Sequence, residues 1–123
     1  MNRNGSMIGN VISKAWGSET VIVSAPLYTA KWLDISSGWR CSTHFHKVKD
    51  ETFVVMNGAC ILEINGKEHI GRVGDSFHIP PKTPHYFGLP RGWEPCTLLE
   101  VSTHHDDADV VRLSPSRKFT EDE

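Results

Sequence analysis

Thr43-His44-Phe45-His46-Lys47-Val48-Lys49-Asp50-Glu51 carries two histidines one residue apart and a carboxylate five residues after the second. On a β-strand, residues i and i+2 share a face, so His44 and His46 point the same way. On a helix they would diverge by about 200°. The spacing therefore predicts a strand, with a pocket lined from a sheet. His85 lies further along the chain. Three imidazoles and one carboxylate make a four-ligand set for one divalent metal. Three nitrogens and one oxygen suit Mn, Fe, Co, Ni or Zn better than Mg or Ca.

The rest of the chain agrees with a β protein. Its 123 residues fit one domain with a modest core. Thirteen basic and fifteen acidic residues leave a net charge of −2. That balance makes no electrostatic case for nucleic acid or an anionic membrane. No apolar run approaches the roughly 20 residues of a membrane span, and the first residues lack the apolar core of a signal peptide. Three cysteines, Cys41, Cys60 and Cys96, form no CxxC pair. An odd count without that motif argues against a disulfide framework or a thiolate zinc site and for a reducing, cytoplasmic setting. They read as small buried apolar residues. Cys41 stands out because it precedes His44 by three positions.

Helical periodicity is nearly absent. Short β-rich runs alternate with Gly, Pro, Asn and Asp: Thr20–Ala25, Tyr28–Ile35, Thr52–Met56, Cys60–Ile64, Glu68–Val73, Ser76–Ile79, His85–Gly88 and Thr97–Thr103. Asn65-Gly66 is a strong hairpin signal because both residues tolerate positive φ. Many short strands with regular turns mean a sandwich or barrel. Residues 1–13 read as an N-terminal arm, 14–113 as the folded domain and 114–123 as a solvated C-terminal tail. Strand parity places Phe53 and Val55 inward with Glu51, and Phe87 inward with His85.

Glycines frame the metal residues. Gly38, His44, His46, Glu51 and Gly58 follow one another at set spacings, and Gly74, Pro80, Thr83-Pro84 and His85 form a second group. This resembles the two motifs of the cupin superfamily, the first at every defining position. The resemblance implies an all-β fold, a double-stranded β-helix (a jelly-roll-like barrel) in a single domain. It implies His44, His46, Glu51 and His85 as the ligands. Lys82 stands where the second motif usually has glycine, and Leu89 where it often has asparagine.

With Trp16 ahead of the core and Asp106–Arg112 behind it, the chain is similar to small cupins of the type II mannose-6-phosphate isomerase and D-lyxose isomerase kind. That likeness implies aldose–ketose isomerisation. A metal on the sugar's C1 and C2 oxygens would acidify the C2 proton, and a base would carry it between the two carbons. Glu51 is a catalytic candidate already used as a ligand, so His78 and Glu63 are the remaining candidates for the base. A sugar phosphate would need a cationic clamp, for which Arg40, Lys31, Lys82 and Arg91 are available. Two other classes fit a cupin pocket: a non-haem metal oxygenase and a non-catalytic sugar-binding module. His69 reads as exposed and idle, and His104-His105 as a solvated loop. Cupins of this kind often dimerise, so a homodimer is expected.

Overall fold

The computed structural model describes residues 10–120 and 123. Thirteen strands follow in chain order: β1 (Val11–Lys14), β2 (Gly17–Ser24), β3 (Thr29–Ile35), β4 (Trp39–Arg40), β5 (His44–His46), β6 (Glu51–Asn57), β7 (Ala59–Ile64), β8 (Lys67–Arg72), β9 (Ser76–Ile79), β10 (His85–Gly88), β11 (Cys96–Ser102), β12 (Val110–Arg112) and β13 (Arg117–Lys118). A single 3₁₀ turn, Asp107–Asp109, is the helical element among the described residues. Among the described residues, no helix is long and apolar enough to cross a membrane.

Two antiparallel sheets face each other. One runs β1-β2-β3-β11-β6-β9. The other runs β12-β5-β10-β4-β13, with β7 also on β10 and β8 on β7. The expected all-β jelly-roll architecture is what the chain adopts. The turn at Asn65-Gly66 has positive φ at both residues (52° and 78°) and joins β7 to β8, as that dipeptide predicts.

The inward rows show the period of two. On β3, Thr29, Lys31, Leu33 and Ile35 are buried while their neighbours are not. On β6, Glu51, Phe53 and Val55 are buried, and on β11, Cys96, Leu98 and Glu100. Phe53, Leu33, Leu98, Val55, Ile79 and Leu62 pack between the sheets. Trp16 meets Phe87 edge-on at 4.8 Å, and Phe87 meets Phe53 at 5.8 Å. This aromatic group closes the core beneath the histidines.

The ends differ from the expected arm and tail. Val11–Lys14 is a strand paired with β2, so regular structure begins inside the stretch assigned to the arm; residues 1–9 of that arm lie outside the described residues. Within the tail, Arg117–Lys118 pairs with β4, and Phe119 is buried. Phe119 packs where Gly88 leaves room: a Cβ there would lie 2.9 Å from the Phe119 ring and 2.7 Å from Arg40 Cβ. One phenylalanine in a polar run has no period to reveal it, whereas a long-range pairing can bury it.

Candidate metal centre

Strand register builds the site. His44 on β5 lies directly opposite His85 on β10, which puts both side chains on one face. Their rings are 4.4 Å apart between centroids. His46 follows on the same face of β5. The candidate ligand atoms of these three histidines all lie within 4.8 Å of one another. Glu51 starts β6 in the other sheet and faces them. Its Oε2 is 3.3 Å from His46 Nε2 and 3.2 Å from His85 Nε2. The three histidines therefore form one group, and Glu51 reaches two of them, His46 and His85, from the facing sheet.

Backbone carbonyls set the tautomers. His44 Nδ1 donates to the Ser42 carbonyl at 2.8 Å, and His85 Nδ1 donates to the Thr83 carbonyl at 2.8 Å. A carbonyl only accepts, so each Nδ1 holds the proton and each Nε2 presents a lone pair. This is how a second group fixes a metal-binding imidazole. Burial, its dominant influence, lowers the His44 pKa to about 4, with the His85 ring adding to the effect. Burial also lowers His46 to about 4, against the opposing pull of Glu51. Both rings are therefore neutral near pH 7. Burial alone would raise the Glu51 pKa, but the His85 contact and the Lys49 charge outweigh it and hold the carboxyl at about 2.

His85 Nε2 and Glu51 Oε2 are buried yet lack a hydrogen-bond partner. A buried lone pair without a partner is costly. Two of them meeting at one point fit a cation, and the nitrogen-rich donor set suits a divalent transition metal.

The centre opens into a cavity of about 310 Å³. His44, His46, Phe53, Phe87 and Trp16 line it, and so does a group of buried charges. Lys49 donates to Glu100 at 2.7 Å and to His105 Nδ1 at 3.1 Å, and it lies 3.6 Å from Glu51 Oε1. His105 Nε2 donates to Asp107 at 2.7 Å. Lys31 pairs with Glu19 at 3.5 Å. In register, Lys31, Glu100 and Phe53 form one row across β3, β11 and β6. Lys49, Glu100 and His105 escaped the sequence reading. Lys49 sits in what reads as a polar turn, and Glu100 shows only as one polar residue at a core-phase position of β11.

The other sequence candidates fall elsewhere. His78 lies on the outer face with its side chain 60% exposed, paired with Asp50 at 2.6 Å. Glu63 sits opposite Tyr86 in the β7–β10 register and does not line the cavity. Neither His78 nor Glu63 is placed to serve as a base at the centre. Arg40 stacks over the Tyr86 ring at 3.4 Å and donates to Thr43, away from the cavity. Lys82 is exposed, and Arg91 is not among the lining residues. Lys82 does adopt the left-handed conformation that a glycine would adopt there (φ 65°), and its N–H donates to the His46 carbonyl at 2.6 Å. His69 is half-buried against Phe77, not exposed. His105 reaches the cavity, whereas His104 Nδ1 bonds the Ala25 carbonyl. Cys41 lines the cavity, but burial raises its thiol to about 12, and its sulfur accepts from the Phe87 N–H. It is a packed thiol, not a nucleophile. All three cysteines are free and buried.

Comparison with known proteins agrees. Residues 31–102 match the cupin domain family, so the chain belongs to that family. Mannose-1-phosphate guanylyltransferase ManC of Salmonella typhimurium is 28% identical over 104 residues, which are 83% of this chain and 22% of ManC. The chain thus spans about a fifth of the length of such relatives. Among solved structures, Pac13, described as a nucleoside dehydratase, aligns with a TM-score of 0.72 at 20% identity, covering 93% of this chain and 89% of Pac13. KdgF of Halomonas sp. aligns with a TM-score of 0.66 at 20% identity, covering 74% and 81%. At these identities the structural likeness concerns the fold.

Proposed function

We propose that the chain is a metal-dependent cupin that acts on a carbohydrate by aldose–ketose isomerisation. His44, His46, His85 and Glu51 would hold the cation. When bound, it would supply positive charge to the oxygens of a hydroxy-carbonyl compound. The observation that carries the reading is the pairing of that centre with a buried carboxylate in the same cavity. Glu100 is 5% exposed and held by Lys49. It takes the place in which the sequence offered His78 and Glu63. In this reading Glu100 removes the proton from the carbon beside the carbonyl and returns it to the neighbouring carbon. Phe53, Phe87 and Trp16 keep bulk water from the exchanging proton. Sugar-linked relatives such as the guanylyltransferase support the substrate class.

The test is isotopic. Protein supplied with Mn is incubated in deuterium oxide with a panel of pentoses, hexoses and their phosphates. Deuterium at C1 or C2 is expected for at least one sugar, and its loss in Glu100→Gln. No incorporation across the panel contradicts the reading.

The proposal includes a homodimer. Val11 and Ile12 on the edge strand β1 and Ile22, Leu27 and Tyr28 beside it are exposed apolar residues that a second copy would cover. Light scattering should give twice the monomer mass; a monomer at micromolar concentration contradicts it.

A further inference from the structure

The two histidines that meet across β5 and β10 are held differently one step further out. His85 Nδ1 donates to the Thr83 carbonyl, and the next residue is Pro84. That peptide has no N–H, so nothing on its other side needs a partner. His44 Nδ1 donates to the Ser42 carbonyl, and the next residue is Thr43. That peptide does carry an N–H, which donates to the Ser114 hydroxyl at 3.1 Å. A trans peptide group is planar, with its C=O and N–H fixed on opposite sides. One rigid unit therefore takes the His44 ring on one side and Ser114 on the other.

Residues 41–43 lie between β4 and β5 outside any strand, so no ladder fixes the Ser42–Thr43 peptide. The end of the chain does so instead. The Leu113 N–H donates to the Thr43 carbonyl at 2.8 Å, and Arg40 donates to the Thr43 hydroxyl at 2.8 Å. Ser114 is seated from both sides: β12 pairs with β5 before it, and β13 pairs with β4 after it. Beyond β13, Phe119 is buried, and its N–H donates to the Gly38 carbonyl at 2.8 Å. A second partner for the ring is within reach, because Ser42 Oγ lies 3.5 Å from His44 Nδ1. A hydroxyl can donate or accept, so it would leave the tautomer open, whereas a carbonyl only accepts.

We propose that Ser114 is a positioning residue for the candidate metal centre: by holding the Ser42–Thr43 peptide it aims the Ser42 carbonyl at His44 Nδ1 and keeps the His44 Nε2 lone pair free for a cation. The tautomer rests on these hydrogen bonds alone; its effect on a metal rests on the metal reading above. The bond from Thr43 to Ser114 also polarises the shared peptide, which makes the Ser42 carbonyl a better acceptor. Without Ser114, a part-buried N–H loses its partner, and the peptide gains by turning towards another. The segment that reads as a solvated tail thus reaches the site without supplying a ligand.

The test reads the imidazole itself in the full chain, metal-free and at neutral pH. The His44 ring nitrogens are followed by heteronuclear NMR and assigned by their loss in His44→Gln. Unaltered protein should carry the proton at Nδ1 alone. Ser114→Ala should show both tautomers, and Ser114→Thr, which keeps the hydroxyl, should restore the single one. Zinc affinity, measured by competition with a chelator, should fall roughly three- to tenfold in Ser114→Ala, the worth of one neutral hydrogen bond, and recover in Ser114→Thr. A tail that merely buttresses the fold would lower urea midpoints and leave the ring spectrum as it is. An unchanged His44 spectrum in Ser114→Ala, or equal losses of zinc affinity in Ser114→Ala and Ser114→Thr, overturns the proposal. If no divalent metal binds the unaltered protein, the metal reading falls, while the ring spectrum still decides whether Ser114 sets the tautomer.

Discussion

The histidines show how individual residues are prepared for a metal. Two carbonyls fix the His44 and His85 tautomers, and burial keeps His44 and His46 uncharged. This has a pH signature in chelator-treated protein. In the unfolded chain a histidine titrates near 6.5, whereas these two titrate near 4 in the folded protein. Between those values the unfolded state binds more protons, so stability falls as pH drops. The slope is up to about 1.4 kcal/mol per pH unit for each ring. Glu51 opposes nothing in this window: its depressed pKa makes its contribution vanish only as pH falls from about 4.5 towards 2. Urea midpoints should therefore be lower at pH 4.5 than at pH 7, and the difference should shrink in His46→Gln. A midpoint flat with pH would contradict this.

At the scale of elements, the inward rows of β3 and β11 carry a cost. Lys31 and Glu100 occupy positions that Leu33 and Leu98 fill a step away. A buried ion pair is often no more stable than the apolar residues that would replace it, but a charge left alone is costly. Lys49→Ala strands Glu100 and Glu51 together and should destabilise by about 3–5 kcal/mol. Lys49→Met with Glu100→Leu should recover a good part of that loss in urea unfolding while ending any deuterium exchange. Equal destabilisation by single and double variants would show that the pair is structural. The same rows explain what was legible. The period of two and the Asn65-Gly66 turn reveal strands from composition alone. Lys49 is a different matter, because Lys47-Val48-Lys49-Asp50 reads as a solvated turn. Only the folding of Asp109 back onto the backbone N–H groups of Val48 and Lys49, both at 2.9 Å, presents Lys49 inward. Contacts across some sixty residues leave no local pattern.

For the whole molecule, the two sheets bring together candidate ligands that lie far apart in the chain. His44 and His46 come from one strand, His85 from its neighbour and Glu51 from the facing sheet. Spacing and family likeness pointed to those four residues because each has a fixed place in a motif. Glu100, Lys49 and Lys31 have no such motif, and their burial around one cavity appears only when the sheets close over it. The account depends on that cavity gripping a single divalent ion. Its most direct test is elemental analysis of the protein after supplying Mn, Fe, Co, Ni or Zn and removing excess metal. About one equivalent per chain is expected for at least one of these metals. In His46→Ala, losing a ligand should weaken affinity beyond the roughly 10–100-fold typical of second-shell changes, leaving the protein largely metal-free. No stoichiometric metal in the unaltered chain, or the same metal content in His46→Ala, would contradict the account.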